Sequence, residues 1–280
     1  MKPGEVSGAG SPKNQVTIII NGKKFPADEG EIILGVALRN NIAIPHLCYE
    51  PSLDPYGACR LCMVETVIRG KREMTTSCTL QAADGLEIIT DTPAIVKHRS
   101  ILFELYLAEA PKSEIMKAMA ARYGVTKTRF LKKIEAADTL NNKCVLCGLC
   151  VRACNEIMGA GAIGFVNRGP YTLVGTPFGE PTRDCFGCGA CVKVCPTHAV
   201  EMEDRGDMRV MTSWNGTKLP LAKCDSCGEF FAPKGLAIAT LARITPSLKE
   251  EIAVLCPACR GKRIAREEIL AGSGGAGNHG

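Results

Sequence analysis

The sequence predicts an α+β protein made of several small segments, each organised around cysteines, and not one large apolar core. Three observations predict it. The 280 residues include 16 cysteines, too many to be scattered core thiols. These cysteines divide into four groups of four with none left over. Between and before the groups, short β-rich stretches alternate with stretches of helical spacing.

The cysteines are predicted to be metal ligands. Disulfide-rich chains are typically small and secreted, and the start MKPGEVSGAGSPKNQ has no apolar segment behind a basic end. No run is apolar over the length that spans a bilayer. We therefore expect a cytoplasmic protein with reduced thiols and no membrane span.

The formal net charge of +5 gives no reason to expect a nucleic-acid partner. Ligating cysteines are thiolates, and four oxidised four-thiolate sites of roughly −2 each would bring the loaded chain to about −3. Lysine and arginine are spread along the chain, and aromatic residues make up only 5% of it. Neither a basic patch nor a base-stacking surface is indicated.

Residues 15–91 are predicted to form a β-grasp domain behind a disordered arm, residues 1–14. Asn21-Gly22 is a strong two-residue hairpin signal, and Glu31 to Asn40 has helical spacing. The predicted strands are 16–20, 23–25, 63–68, 72–76 and 86–90. Strands wrapped on one helix favour this fold.

A cysteine-free helical spacer is predicted over residues 92–143. Thr92 before Pro93 is typical of a helix start, and helices are expected at 94–110, 113–122 and 126–137. The remaining segments are a two-cluster ferredoxin-like domain at 144–212, a metal knuckle at 213–270 and a flexible tail at 271–280.

The first group has the pattern C-x10-C-x2-C-x15-C, which predicts a [2Fe–2S] site. Plant-type sites combine a loop of closely spaced cysteines with a distant fourth. Gly57 and Ala58 are small residues that let backbone N–H groups approach the sulfurs. A structural zinc site is the alternative, but zinc sites usually show two paired knuckles. The group consists of Cys48, Cys59, Cys62 and Cys78.

The second and third groups repeat C-x2-C-x2-C-x3-C 41 residues apart. In bacterial two-cluster ferredoxins the fourth cysteine of each run ligates the other cluster. One [4Fe–4S] cluster is therefore assigned to Cys144, Cys147, Cys150 and Cys195, and the other to Cys185, Cys188, Cys191 and Cys154. The 30 residues between the runs predict an additional hairpin or loop. Residues 159–164 match G-x-G-x-x-G, but a cluster-binding loop precedes them, which argues against a dinucleotide site.

The fourth group, C-x2-C-x28-C-x2-C, contains Cys224, Cys227, Cys256 and Cys259. Its paired knuckles resemble a zinc ribbon, with a helix predicted at 236–244 between them. A third [4Fe–4S] cluster is the competing interpretation, because both metals accept thiolate ligands. The spacing favours zinc without deciding it.

The stretches EGEIILGVALRNNIAIPHLCYEPSLDPYGACRLCMVE and IVKHRSILFELYLAEAP resemble the N-terminal part of the large iron–sulfur subunit of respiratory complex I. They equally resemble diaphorase subunits of NAD-linked [NiFe]-hydrogenases and formate dehydrogenases. The resemblance implies that Cys48, Cys59, Cys62 and Cys78 hold the [2Fe–2S] cluster. The sequence departs from this family where a His and three Cys usually bind a further cluster, so we expect that cluster to be absent.

The resemblance implies an electron-transfer subunit of an NAD(P)-linked oxidoreductase. Its expected partners are a flavin- and NAD-binding subunit and a catalytic hydrogenase or formate dehydrogenase subunit. We find no catalytic residues of its own: His98 is expected to be an ordinary helix-surface residue, and His198 a packing or tuning residue. The alternative is a free-standing multi-cluster ferredoxin-like shuttle, for which the helical spacer and the knuckle are unnecessary.

Overall fold

The structure, a computed structural model, describes residues 14–68, 70–130, 138–236 and 254–273. It is a mixed α+β chain with two units, the first ending at Arg152 and the second starting at Ala153. The predicted arm falls outside the described residues except for Asn14. Within the described part, no helix is long and apolar enough to cross a membrane.

The first unit contains a five-stranded sheet of order β2-β1-β5-β3-β4, in which β1 and β5 are parallel and the other pairs antiparallel. Asn21 and Gly22 both have positive φ, 52° and 78°, as the predicted two-residue turn requires. The return strand runs three residues past its predicted end at Phe25, and its Pro26 is tolerated because β2 is an edge strand. The strands are β1 (Gln15–Ile20), β2 (Lys23–Asp28), β3 (Met63–Ile68), β4 (Lys71–Thr76) and β5 (Glu87–Ile89).

One helix, α1 (Ile33–Arg39), packs on this sheet. It starts two residues later than predicted because Ile32 is extended and forms an isolated bridge with Gln81. Its buried side chains share a core with Ile18, Val64 and Ile88. Cys62 and Cys78 belong to the same core, so this packing places half of the predicted [2Fe–2S] ligands.

Two further helices follow in the first unit, α2 (Pro93–Glu109) and α3 (Glu114–Ala121). The prediction for the start of α2 is confirmed, since the Thr92 hydroxyl accepts a hydrogen bond from the Ile95 amide. The predicted helix at 126–137 is wrong over 126–130, where the Thr128 hydroxyl accepts from the Phe130 amide and competes with helical bonding. Residues 131–137 lie outside the described residues. A short helix, α4 (Leu149–Arg152), ends the unit.

The second unit begins with a π-helix, Ala153–Ile157, followed by a hairpin of β6 (Gly164–Val166) and β7 (Leu173–Gly175). This confirms the hairpin predicted between the repeated runs. Because a π-helix precedes the G-x-G-x-x-G stretch and a strand follows it, the stretch lacks the strand–turn–helix context of a dinucleotide site. The short helices of this region are the 3-10 turns Gly169–Tyr171 and Pro177–Gly179 and helix α5 (Ala190–Lys193).

An antiparallel sheet that the sequence did not predict completes the second unit, with order β11-β10-β9-β8. Its strands are β8 (Glu203–Arg205), β9 (Met208–Met211), β10 (Thr217–Lys223) and β11 (Phe230–Pro233). The last helix, α6 (Pro257–Ser273), includes residues 271–273, which were predicted as flexible tail. The predicted helix at 236–244 lies outside the described residues after Leu236, as do residues 274–280.

Candidate metal centres

The first quartet, defined as Cys48, Cys59, Cys62 and Cys78, is buried throughout, with no member more than 3% exposed. Its side chains form two hydrogen-bonded pairs, Cys48 with Cys59 and Cys62 with Cys78. In each pair the thiol of one residue donates to the sulfur of the other, which lowers the pKa of Cys59 and of Cys62 and raises the pKa of Cys48 and of Cys78. Two pairs of thiolates suit a [2Fe–2S] cluster, since four cysteines hold its two irons.

The backbone of the Cys59 loop approaches these sulfurs closely. The Cys59 amide donates to Cys48 Sγ over 3.3 Å, and the Ala58 amide also donates to that sulfur. Gly57 has φ 67°, and a Cβ there would lie 3.3 Å from Thr79 Cγ2. These contacts confirm the expected closeness of the loop amides, and the positive φ and the close Thr79 methyl explain why glycine occupies position 57.

Three side chains of α2 hold the carbonyls of this loop. The Arg99 side chain is fully buried. It donates through Nε to Leu61 O at 3.0 Å and through Nη2 to Met63 O at 2.8 Å. His98 Nε2 lies 3.3 Å from Arg60 O, and the Tyr106 hydroxyl donates to Cys59 O at 3.0 Å. The sequence did not predict that any of these three side chains supports the site.

The sequence contains a signal that could have identified Arg99 as a buried side chain. Arg99 falls between Ile95 and Phe103 at a spacing of four residues, on the stripe of α2 that is buried. An arginine on such a stripe must satisfy its donors inside the protein. His98 differs from its prediction as an ordinary surface residue, because it is partly buried and contacts the cluster loop.

The first three cysteines of the first repeated run also lie in the first unit, next to the first quartet, whereas Cys154 belongs to the second unit. The Leu146 amide donates to Cys144 Sγ over 3.4 Å, and Gly148, with φ 79°, turns the chain into α4. Val145 and Cys147 pack in the same apolar cluster as Cys48 and Cys59. The two predicted cluster-binding loops are therefore neighbours within this unit.

In the second unit, one small cavity brings together the four cysteines predicted to share a cluster. These are Cys154, Cys185, Cys188 and Cys191. The Gly187 amide donates to Cys185 Sγ over 3.3 Å, and the Ala190 amide to Cys188 Sγ over 3.5 Å. The cavity is otherwise lined mainly by apolar groups, including Met211 and Trp214. A partly buried site with four thiols and amides aimed at sulfur suits a [4Fe–4S] cluster.

Burial raises the pKa of Cys191 to about 12, and a hydrogen bond from Trp214 Nε1 to its sulfur, 3.4 Å long, opposes that rise. Gly187, with φ 62°, is required here, because a Cβ would lie 2.8 Å from both Leu219 Cδ1 and Pro233 Cγ. Cys195 is not among the residues lining this cavity; its sulfur accepts from the Ala199 amide at 3.2 Å. His198 is exposed, in contrast to the packing role expected for it.

The C-terminal quartet, defined as Cys224, Cys227, Cys256 and Cys259, has its four sulfurs within 4.8 Å of one another. The sulfurs of Cys227 and Cys256 are 3.8 Å apart. Bonds of about 2.3 Å to one tetrahedral zinc ion place thiolates about 3.8 Å apart. The Cys256 amide donates to Cys224 Sγ and lowers the pKa of Cys224 to about 6. This spacing suits a single ion better than a [4Fe–4S] cluster, whose iron and sulfide atoms must fit between the thiolates.

The chain matches the family described as 2Fe-2S iron-sulfur cluster binding domain over residues 13–93, and the family described as 4Fe-4S dicluster domain over residues 184–230. It is a [2Fe–2S] and dicluster [4Fe–4S] protein. The chain is 33% identical over 206 residues to an NADH-quinone oxidoreductase subunit of Rhizobium meliloti (strain 1021). The matched region covers 66% of this chain and 24% of the relative.

NADP-reducing hydrogenase subunit HndD of Solidesulfovibrio fructosivorans is 31% identical to the dicluster protein over 212 residues, 67% of this chain and 36% of that one. The dicluster protein thus spans between about a quarter and a third of these curated relatives. A chain in the crystal structure of NAD+-reducing [NiFe]-hydrogenase in the H2-reduced state is 30% identical, with a TM-score of 0.49, covering 58% of this chain and 75% of that one. The predicted relationship to complex I and hydrogenase iron–sulfur subunits is confirmed by the two curated relatives.

Proposed function

We propose that this dicluster protein relays electrons inside a multi-subunit NAD(P)-linked oxidoreductase of hydrogenase or formate dehydrogenase type. It would take electrons from, or deliver them to, a flavin- and NAD-binding subunit, and exchange them with a catalytic subunit. The proposal is supported by relatives named as NADH-quinone oxidoreductase and hydrogenase subunits. A reducing compartment such as the cytoplasm keeps its thiols available for metal.

The contact between two cluster-binding loops carries this proposal. Tyr106 donates to Cys59 O and packs on the apolar cluster that contains both Cys59 and Cys147. Burial raises the pKa of Tyr106, as do the charges of Cys59, Cys48 and Cys147, so the phenol stays neutral. A relay needs neighbouring centres with little water between them, and this arrangement provides both.

The shared cavity supports the assignment of Cys154, Cys185, Cys188 and Cys191, and the paired sulfurs support the [2Fe–2S] ligands. The remaining assignment is supported by the repeated motif. Cys48 and Cys59 would share one iron of the [2Fe–2S] cluster, and Cys62 and Cys78 the other. The β-grasp assignment is supported by the strand order and the single helix of the first sheet. One [4Fe–4S] cluster would be held by Cys185, Cys188, Cys191 and Cys154, and the other by Cys144, Cys147, Cys150 and Cys195.

We further propose that the C-terminal quartet binds a structural zinc ion. The sulfur spacing supports a mononuclear site, and four thiolates form a closed tetrahedral site with no open position for substrate. The ion would join the turn after β10 to the start of α6. Its role would be to brace this segment and not to carry electrons, since zinc has no redox chemistry.

When bound, the three clusters supply one-electron acceptor and donor states. The chain's own residues would hold the sulfurs, aim amide N–H groups at them and exclude water. The amide N–H groups of Cys59 and Gly187 and the indole N–H of Trp214 would keep their protons while the charge of the clusters changes. The chain therefore contributes ligand identity, burial and hydrogen bonding, which set reduction potentials.

The test is to isolate the affinity-tagged chain anaerobically with its native partners, add NADH, and record EPR spectra after rapid freezing. We expect reduced [2Fe–2S] and [4Fe–4S] signals to appear in the complex, while the chain alone stays oxidised with NADH and is reduced by dithionite. A monodisperse chain that purifies without partners and exchanges electrons equally well with many redox proteins would overturn the subunit role in favour of a free shuttle.

A further inference from the structure

We propose that Trp214 is a positioning residue that raises the reduction potential of the cluster assigned to Cys154, Cys185, Cys188 and Cys191. The inference rests on the proposed function of that cluster as an electron carrier. It gives a role to the one tryptophan of the sequence. This residue lies between β9 and β10 and outside every cysteine motif.

The contact is a hydrogen bond from a buried side chain to a ligand sulfur. Trp214 is 1% exposed, and its Nε1 donates to Cys191 Sγ over 3.4 Å. The indole N–H is a donor only, so this contact has one possible direction. The amides of Gly187 and Ala190 donate to the other two sulfurs of this loop. Trp214 is therefore a donor to this site that substitution can remove without changing the backbone.

The turn that bears Trp214 is fixed by its own hydrogen bonds. The Trp214 amide donates to Met211 O at 3.0 Å, and the Thr217 hydroxyl donates to Trp214 O at 2.7 Å. The neighbouring Ser213 hydroxyl accepts from the Glu201 amide at 2.8 Å. The indole is consequently held in place before any electron arrives, and it need not reorient when the charge of the site changes.

The direction of the effect follows from charge. Reduction adds one electron and no proton, so the sulfurs become more negative while the indole keeps its hydrogen. An N–H dipole aimed at sulfur stabilises the more negative state, and the stabilisation is larger in a buried site than in water. Trp214 should therefore make this cluster easier to reduce than it would be without the bond.

The first experiment compares Trp214→Phe with the full-length chain in an anaerobic redox titration followed by EPR. Phenylalanine keeps an aromatic ring and removes the N–H. We expect the ratio of reduced to oxidised cluster at a fixed potential to fall about tenfold, a shift of about 59 mV to lower potential for one electron. The other cluster potentials should not change. Met211→Leu, which alters the same cavity wall without removing a donor, should leave all potentials unchanged.

The second experiment uses the native sequence, so it does not depend on how the variant folds. Incorporation of [15N-indole]tryptophan labels one position, because the sequence has one tryptophan. Pulsed EPR of the reduced protein should show a 15N coupling at a [4Fe–4S] signal. Clusters that are present and reducible but show neither this coupling nor a shift in Trp214→Phe would overturn the inference and leave the relay intact. Absence of reducible clusters would instead contradict the proposed function.

Discussion

The first quartet and the C-terminal quartet each contain four cysteines, but the protein around them differs. Two apolar cores enclose the first quartet, one containing Cys62 and Cys78 and the other Cys48 and Cys59. In the described residues around the C-terminal quartet, the apolar cluster adds only Leu255 and Phe231 to its cysteines. The comparison predicts that the fold alone arranges the first site, whereas the proposed zinc ion would be needed to arrange the C-terminal one.

The largest expected effect comes from removing the metal of the C-terminal quartet. Because structural zinc provides roughly 10–16 kcal/mol of apparent binding free energy in small zinc-dependent folds, we expect residues 224–236 and 254–259 to lose their folded structure. Cys256→Ser should act like a zinc chelator. Hydrogen exchange should show loss of protection there and unchanged protection over residues 15–91. If residues 224–236 and 254–259 stay protected without metal, the proposed difference between the two sites is contradicted.

The second largest effect is expected from Arg99→Met in the first unit. The change leaves the Leu61 and Met63 carbonyls without their buried donor, and each such acceptor costs about 1–3 kcal/mol. We expect the unfolding free energy of this unit to fall by about 2–6 kcal/mol, measured by guanidinium unfolding with loss of [2Fe–2S] absorbance. Lys97→Met, on an exposed position of the same helix, is the matched control. Equal effects of both variants would show that Arg99 does not support the loop.

A smaller effect is expected from Tyr106→Phe, which removes the hydrogen bond to Cys59 O but keeps the ring. The expected loss is about 1 kcal/mol of unfolding free energy, from the same denaturation experiment. Tyr171→Phe, at a position 60% exposed, should have no measurable effect. If Tyr106→Phe lowers the unfolding free energy no more than Tyr171→Phe does, the Tyr106 hydroxyl contributes nothing to holding the two neighbouring loops.

The smallest effect concerns Arg209, whose Nη1 donates to Gly187 O in the loop of the second unit. A hydrogen bond from Arg209 lowers the pKa of Asp204. The ion pair therefore stabilises the fold above the ordinary aspartate pKa, and this contribution is lost as the pH falls through the lowered value. Since Asp204 is half exposed, we expect less than about 1 kcal/mol. Asp204→Asn should therefore make the unfolding free energy less dependent on pH below about pH 4. An unchanged pH dependence would show that the ion pair between Asp204 and Arg209 does not contribute to stability.

Much of the first unit could be predicted from local pattern. The Asn21-Gly22 turn and the β-rich stretch of β3 are local signals, and the structure has both the turn and the strand. The sheet β8–β11 was missed because strands such as Glu203–Arg205 are short and charged, so they lack the alternation of a half-buried strand. The helix predicted at 126–137 followed apolar spacing and missed the local hydrogen bonding of Thr128.

The cysteine groups were predictable from spacing, but the surroundings of the sulfurs were not. Spacing along the chain does not reveal how far apart sulfurs lie, so the sequence left zinc and a third [4Fe–4S] cluster open for the C-terminal quartet. The sulfur distances support the proposal of zinc. Arg99 contacts carbonyls that lie 38 and 36 positions away along the chain, and Trp214 contacts a sulfur 23 positions away. The local pattern could identify Arg99 as a buried donor, but it could not reveal which groups either side chain contacts.

Iron, acid-labile sulfide and zinc per chain test the central claim most directly, since that claim distinguishes three cluster sites from one zinc site by sulfur geometry. The anaerobically purified protein should contain about ten iron, about ten sulfide and one zinc. About fourteen iron with no zinc would place a third [4Fe–4S] cluster in the C-terminal quartet and contradict the assignment.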